Sequence, residues 1–441
     1  MHGIDCPWRR HTDCGPHIEG ELLSKPPARR LSATSFDADL VEFIATYAEM
    51  WRTADHTMPD LGERIGEPRK RQSERKAGEF LDWLEGWLRR YPKAESKRAV
   101  AEARLQERLK PFMADCLGFP DEAQDLMFGA GYRGATGGFV REARRFAGGI
   151  RPGPLFQALR NVWVANSIQV LLDLPVRLTP SIFAYSLLYP YTDNFLDSPT
   201  RSPCAKSAMI DWLTHRLAHQ YAPPHSALER AVAALLDGVD KDYPPARFPE
   251  VHESLRAIHR AQVRSLAQQR SDRFLTDAEL LELSLEKGGA SVLADGYLAA
   301  GKLEKTEARF LFGYGALLQL LDDLQDCRQD RAVGHETLFS RAMGAGPLDE
   351  WTNRLHHFAG RVMDFCRQSC RGRSEALPAL IEKSCAVSTQ LAVAGNQSCF
   401  SRVYLAQFEA SSPFSYSFLE TQGKLRSERL RRATRICLDR F

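Results

Sequence analysis

Apolar residues recur at helical spacing along most of this chain, and strand-like alternation is nearly absent. Phe36, Leu40, Val41, Phe43, Ile44 and Tyr47 line one stripe, with Asp37 near its start, so a helix is predicted from about residue 35. Residues 80–90 (FLDWLEGWLRR) and 99–112 read as amphipathic helices, and 139–146 as a short basic one. A helix over 155–172 stops before Pro175. Pro180 opens the next, whose apolar body (Ile182, Phe183, Tyr185, Leu187, Leu188) is expected to kink or end at Pro190. Further helices fit 204–221, 225–239, 249–273, 280–286, 304–330, 348–372, 374–395 and 398–408. Thr276 with Glu279 forms a capping box before the 280–286 segment. Residues 55–72 read as a polar, basic link, and the Gly-rich 129–138 stretch as a turn. The latter lacks the spacing and the GK[ST] ending of a phosphate loop. Gly288–Gly289 inside a helical pattern costs about 1 kcal/mol per glycine relative to alanine, which predicts either a kink or break or a site where another helix packs closely. The class is all-α. The division is a mobile tail at 1–34, an N-terminal helical extension at 35–150, a helical core at 151–410 and a basic C-terminal helix at 411–441.

Composition narrows this picture. The 441 residues are 44% hydrophobic and 26% charged, enough for a full core. A net charge of +3 argues against nucleic acid as a partner, because a basic stripe should then dominate. Ten scattered cysteines contain no CxxC pair, and Cys366 with Cys370 read as core or surface thiols. This pattern, with no apolar signal-like stretch near the start and no run long enough to cross a membrane, leads us to expect a cytoplasmic protein. His252 and His259 read as packing residues, since no HExxH or His–Cys metal spacing is present.

The chemistry concentrates in two acidic elements. Asp322, Asp326 and Asp330 recur every four residues behind an apolar run, so they share one helical stripe. Asp193 and Asp197 stand at the same spacing behind the apolar 182–188 segment. Like charges so placed repel, and on largely buried helices they call for a positive partner. Mg²⁺, a hard cation that takes oxygen ligands, suits them. Two or three Mg²⁺ ions facing a polyphosphate would neutralise a departing diphosphate, and an apolar, aromatic-lined pocket below would stabilise a carbocation. Lys287, Arg264 and Arg331 are candidates to grip the diphosphate. Tyr185, Tyr189, Tyr191, Phe195 and Tyr314 are candidates for the wall or mouth.

The pair Asp193-NFL-Asp197 and the series Asp322, Asp326, Asp330, Arg331 resemble the two Asp-rich motifs, DNxxD and DxxxDxxxDR, of the squalene/phytoene synthase superfamily. They look closest to the bacterial large, class IB, terpene synthases. The stretch from Lys287 to Asp295 also looks like that family's broken helix. The resemblance covers about residues 155–408. It implies an isoprenoid-synthase-type helical bundle with an active-site cavity and extra N-terminal helices. It also implies Mg²⁺ at Asp193, Asp197, Asp322, Asp326 and Asp330. The expected activity is ionisation of a linear prenyl diphosphate, followed by cyclisation or quenching. Lys287, Arg331, Arg264, Tyr191 and Phe195 would contact the substrate. A homodimer is common in such folds, and the basic C-terminal helix is a candidate for transient membrane contact. Squalene and phytoene synthases typically carry a Tyr and a VAG-like stretch where this chain has SLEKGGAS, which favours a single-substrate enzyme. The alternatives are a head-to-head prenyl transferase and a non-catalytic helical binding protein whose acidic stripes are merely solvated.

Overall fold

The computed structural model describes residues 35–198, 200–269, 274–369, 376–438 and 440. The tail expected at 1–34 and Cys370 lie outside them. Among the described residues the chain forms seventeen α-helices and no strand. In chain order they are α1 (Ser35–Arg52), α2 (Glu67–Arg89), α3 (Arg98–Phe112), α4 (Asp121–Phe128), α5 (Ala130–Phe146) and α6 (Pro152–Leu171). There follow α7 (Pro180–Leu196), α8 (Pro203–Leu217), α9 (Ala227–Asp242), α10 (Pro249–Ser265), α11 (Asp277–Ala300) and α12 (Lys305–Val333). The last five are α13 (Leu338–Ala345), α14 (Asp349–Ser369), α15 (Ala376–Gly395), α16 (Arg402–Ala410) and α17 (Tyr416–Leu438). No helix of the described residues is long and apolar enough to cross a membrane.

The hairpin of α11 and α12 is the centre of the molecule. α11 buries residues around its whole circumference, including Leu280, Leu281, Leu283, Leu285, Val292, Leu293 and Leu298, the pattern of a helix enclosed on all sides. It starts on the Thr276–Glu279 capping box. It ends at Gly301, whose φ of +75° needs glycine and whose Cα faces the Tyr243 ring too closely for a Cβ. α10, α6 and α7 pack on α11, while α13, α14 and α15 cover α12. The 35–150 helices join the same core. The Tyr47 hydroxyl on α1 donates to the Arg309 carbonyl at 2.8 Å, and the Phe43 and Tyr47 rings lie 5.8 and 6.0 Å from Phe312. α2 packs along α17, with Asp82 ion-paired to Arg426.

Several local expectations are overturned by packing. The glycines of 129–138 lie in helix α5. A Cβ on Gly131 would stand 2.8 Å from Val176 Cβ and 2.9 Å from its carbonyl oxygen, so this glycine permits a close approach instead of a turn. Residues 67–72 belong to α2, where Lys70 is buried and donates to the Glu409 carbonyl at 2.6 Å. α7 runs unbroken through Pro190, whose missing N–H forfeits only the bond to the Ser186 carbonyl. α11 likewise runs unbroken through Gly288–Gly289. These glycines seat α12: a Cβ on Gly288 would strike the Gly315 backbone, and one on Gly289 would strike the Phe312 ring. α13 had no forecast.

Candidate functional site: two acidic helix ends around Lys287

α7 and α12 share a design. Each carries an apolar, buried part, Ile182 to Leu188 in one and Phe310 to Leu321 in the other, and an acidic stretch toward its C-terminal end. That end of a helix is the negative pole of its dipole, so carboxylates in the last turn are disfavoured by about 0.3–1 kcal/mol each. Asp193 and Asp197 close α7 and Asp330 lies in the last turn of α12, so these three stand where their own helices repel them, while Asp322 and Asp326 stand further in.

Lys287, in the middle of α11, stands between them. Its ammonium is 3.4 Å from Asp193 Oδ1, and the two side chains are only 14% and 12% exposed. Burial alone would lower the Lys287 pKa, but the charges of Asp193, Tyr189 and Asp197 hold it above its usual value. The same ammonium acts on Asp323 and Asp330 across the gap, opposing the rise of both. The two acidic elements, 129 residues apart from Asp193 to Asp322, are thus close enough for the charge of Lys287, paired with Asp193, to be felt at Asp330.

The neighbourhood is rich in carboxylates. Burial pushes Asp330 up to about 7, with the charges of Asp323, Asp326 and Asp322 adding to the rise. Asp326 is raised by burial and by Asp322, against the pull of Arg160. Asp193 is raised by burial, with Lys287 opposing and Asp197 reinforcing, and it accepts a hydrogen bond from the Tyr189 hydroxyl. Tyr189 is itself held above its usual range, first by the charge of Asp193 and then by burial. Asp197, at the C-cap of α7, accepts from Gln269 Nε2 at 2.7 Å. Arg160 of α6 lies 3.4 Å from Asp322 Oδ1. Among the described residues, two cations, Lys287 and Arg160, thus answer five carboxylates at the gap. A half-buried set of oxygen donors in such excess over cations fits a hard divalent ion such as Mg²⁺.

Asp323 departs from the stripe and is fully enclosed. It accepts from Ser284 Oγ at 2.7 Å and from Gln319 Nε2 at 2.8 Å, and burial pushes it up to about 6. It joins α11 to α12 and does not face the gap with the other acids.

The remaining expected residues divide. Phe195 lies half-buried at the rim with the Arg201 guanidinium 4.9 Å above its ring, and Tyr191 is half-buried against the core. Tyr185 is buried and donates to the Ser291 carbonyl at 3.1 Å, and Tyr314 stacks on Phe310 at 6.0 Å in the interior. Arg264 ion-pairs with the buried Glu286 and with none of the five aspartates. Glu286 precedes Lys287 and so points about 100° away from it. Arg331 turns toward α13, donating to the Ser340 carbonyl at 3.3 Å and lying against Gly344. Neither arginine is held in the gap. Arg160 was missed, since a lone arginine in an apolar helix carries no signal until α6 is seen beside α12.

Two cavities stand out among the described residues, and the five aspartates line neither of them. The more enclosed of the two cavities that stand out, about 330 Å³, lies between α1, α10 and α11, lined by Phe36, Leu40, Phe43, Leu293 and Tyr297. The other is an open hollow beside Arg64 and Arg402. Behind the aspartates, Tyr185, Leu188, Leu320 and Leu321 are buried in the apolar core. No protein-family model, curated protein or solved structure matches this chain.

Proposed function

We propose that this protein is a Mg²⁺-dependent class I terpene synthase, acting on a linear prenyl diphosphate. The observation that carries the reading is the meeting of the Asp193–Asp197 and Asp322–Asp330 helix ends around Lys287. Asp193 and Asp197 would hold one side of the metal cluster, and Asp322, Asp326 and Asp330 the other. The bound Mg²⁺ would supply electrophilic stabilisation of the leaving diphosphate. Lys287 is placed to bind a diphosphate oxygen once metal neutralises Asp193, and Arg160 to bind another from the α6 side. Arg264 and Arg331 have no part in this version of the site. The buried aromatic rings of Tyr185 and Tyr189 would face the allylic cation.

The second reading, a non-catalytic helical binding protein with an acidic rim, is favoured by the ion pairs Lys287–Asp193 and Arg160–Asp322, which already answer part of the acidic charge.

The test is incubation of the full chain with geranyl, farnesyl, geranylgeranyl and longer diphosphates in Mg²⁺, following diphosphate release and product mass. Turnover is expected with at least one of them. Asp326→Ala is expected to slow it about a hundredfold, the equivalent of about 3 kcal/mol of lost stabilisation. Release unaffected by Asp326→Ala removes the mechanism. Products with twice the substrate carbon mean head-to-head coupling, and no turnover with any chain length favours the binding protein.

A further inference from the structure

Far from the acidic rim, three helices bring together residues with no motif spacing. His219 follows the end of α8, Asp240 lies near the end of α9, and His252 lies in the first turn of α10. One nitrogen from each histidine and one carboxylate oxygen all lie within 4.8 Å of one another. His252 precedes Arg264 by twelve residues on α10, about 18 Å along the axis, so this cluster is separate from Lys287 and its acids.

The hydrogen bonds define which atoms are available. His252 Nε2 is 2.7 Å from the Tyr243 carbonyl oxygen, which can only accept, so Nε2 carries the proton. In the neutral ring Nδ1 then presents its lone pair, and it faces Asp240 Oδ1 at 3.8 Å. Two lone-pair-bearing atoms facing each other repel unless a cation lies between them. A separation of 3.8 Å is too long for a shared proton. It is near the roughly 3.4 Å that separates two ligands of a tetrahedral ion bonded at about 2.0–2.1 Å. Donation of the second ring N–H to a backbone carbonyl is also the usual way a metal-ligating histidine is oriented. The other oxygen of Asp240 is held by Arg216 at 2.8 Å, which fixes the carboxylate with Oδ1 turned to His252.

His219 completes the set through an uncommon backbone. Its φ is +56°, in the left-handed region at a helix end where glycine is the usual residue. That conformation carries the imidazole onto His252, with ring centroids 4.8 Å apart and the planes tilted by 69°. Around the cluster, Arg216 and Arg256 are set against Asp237, Asp240 and Glu253, which leaves one negative charge in excess.

We infer that His219, Asp240 and His252 form a binding site for a zinc-class divalent ion, which ties together the ends of α8 and α9 and the start of α10. Two imidazoles and one carboxylate select Zn²⁺, Co²⁺ or Ni²⁺ over Mg²⁺, whose sites are built of oxygen. Three protein ligands leave a position open on the exposed His219 side.

The test uses the full chain, stripped with chelator and titrated with Zn²⁺, and with Co²⁺ as a spectroscopic probe. His219→Gly removes one ligand while suiting the left-handed backbone, so the fold is kept. Asp240→Asn is the second variant. Wild type is expected to hold one more equivalent of Zn²⁺ than either variant and to show tetrahedral cobalt bands that both lose. Zn²⁺ should also raise the thermal midpoint of wild type and not that of His219→Gly. Equal metal content in wild type and His219→Gly overturns the assignment, as does a wild type that takes up neither ion.

Discussion

Lys287→Met isolates the feature on which the acidic site depends. The substitution removes the ammonium while keeping most of the side chain's length and apolar stem. It leaves Asp193, 12% exposed and formerly 3.4 Å from the lysine, without its counter-ion. Breaking a buried ion pair on one side costs about 3–5 kcal/mol, and even the lower value reduces the folded-to-unfolded ratio by about a hundredfold. Asp193 is already raised by burial, and without Lys287 it rises further. A raised carboxyl favours the folded state at low pH and loses that advantage as pH rises through its folded pKa. The deficit of Lys287→Met is therefore expected to be small near pH 4 and widest above neutrality. Two additions sharpen the experiment. Asp193→Asn in the same chain should recover much of the loss, because no buried charge is then left alone. Mg²⁺ should raise the stability of Lys287→Met by more than that of wild type, since it can take the ammonium's place among the carboxylates. Chemical denaturation between pH 4 and 8, with and without Mg²⁺, measures all of this. Equal midpoints for Lys287→Met and wild type, or a further loss on adding Asp193→Asn, would refute the role assigned to this lysine.

Two further predictions test the α11–α12 seam. Asp323, pushed from 3.8 up to about 6 by burial, weakens the folded state as pH rises through that range, by about 3 kcal/mol once fully ionised. Asp323→Asn should remove this dependence: its stability curve between pH 4 and 8 should gain on wild type by about that amount, and parallel curves would show the account to be wrong. Gly315→Ala should destabilise by about 1–3 kcal/mol or more, because its Cβ would strike the Gly288 backbone, which cannot rotate away. That clash exceeds the gain of about 1 kcal/mol that alanine brings to a helix. Gly238→Ala in α9, whose Cβ would meet nothing within 4 Å, should show the gain alone. Denaturation midpoints of the two variants moving in the same direction would contradict this reasoning.

What was legible in the chain was whatever depends on neighbours a few residues away. A helix is closed by bonds from each residue to the fourth before it, so its period, its caps and its face can be read locally. That is why the all-helical class, the Thr276–Glu279 cap and the single stripes of Asp322–Asp330 and Asp193–Asp197 could be read from residue order. The same local view misread Gly131 as part of a turn and left Gly288 open between a kink and a close packing. In both the small residue answers a close approach by another segment, and nothing nearby in sequence says which segment.

Which helix ends face each other is set by how large apolar faces pack, between residues more than a hundred positions apart. Only the tertiary structure could decide that Lys287 would stand among both acidic ends, that Arg160 would join them, and that Arg264 and Arg331 would turn to Glu286 and Ser340. It alone drew His219, Asp240 and His252 into one cluster. The sequence determined the helices and which side of each is charged. Their meeting is a property of the packed core, because burying apolar area has no direction of its own and takes its geometry from every side chain at once.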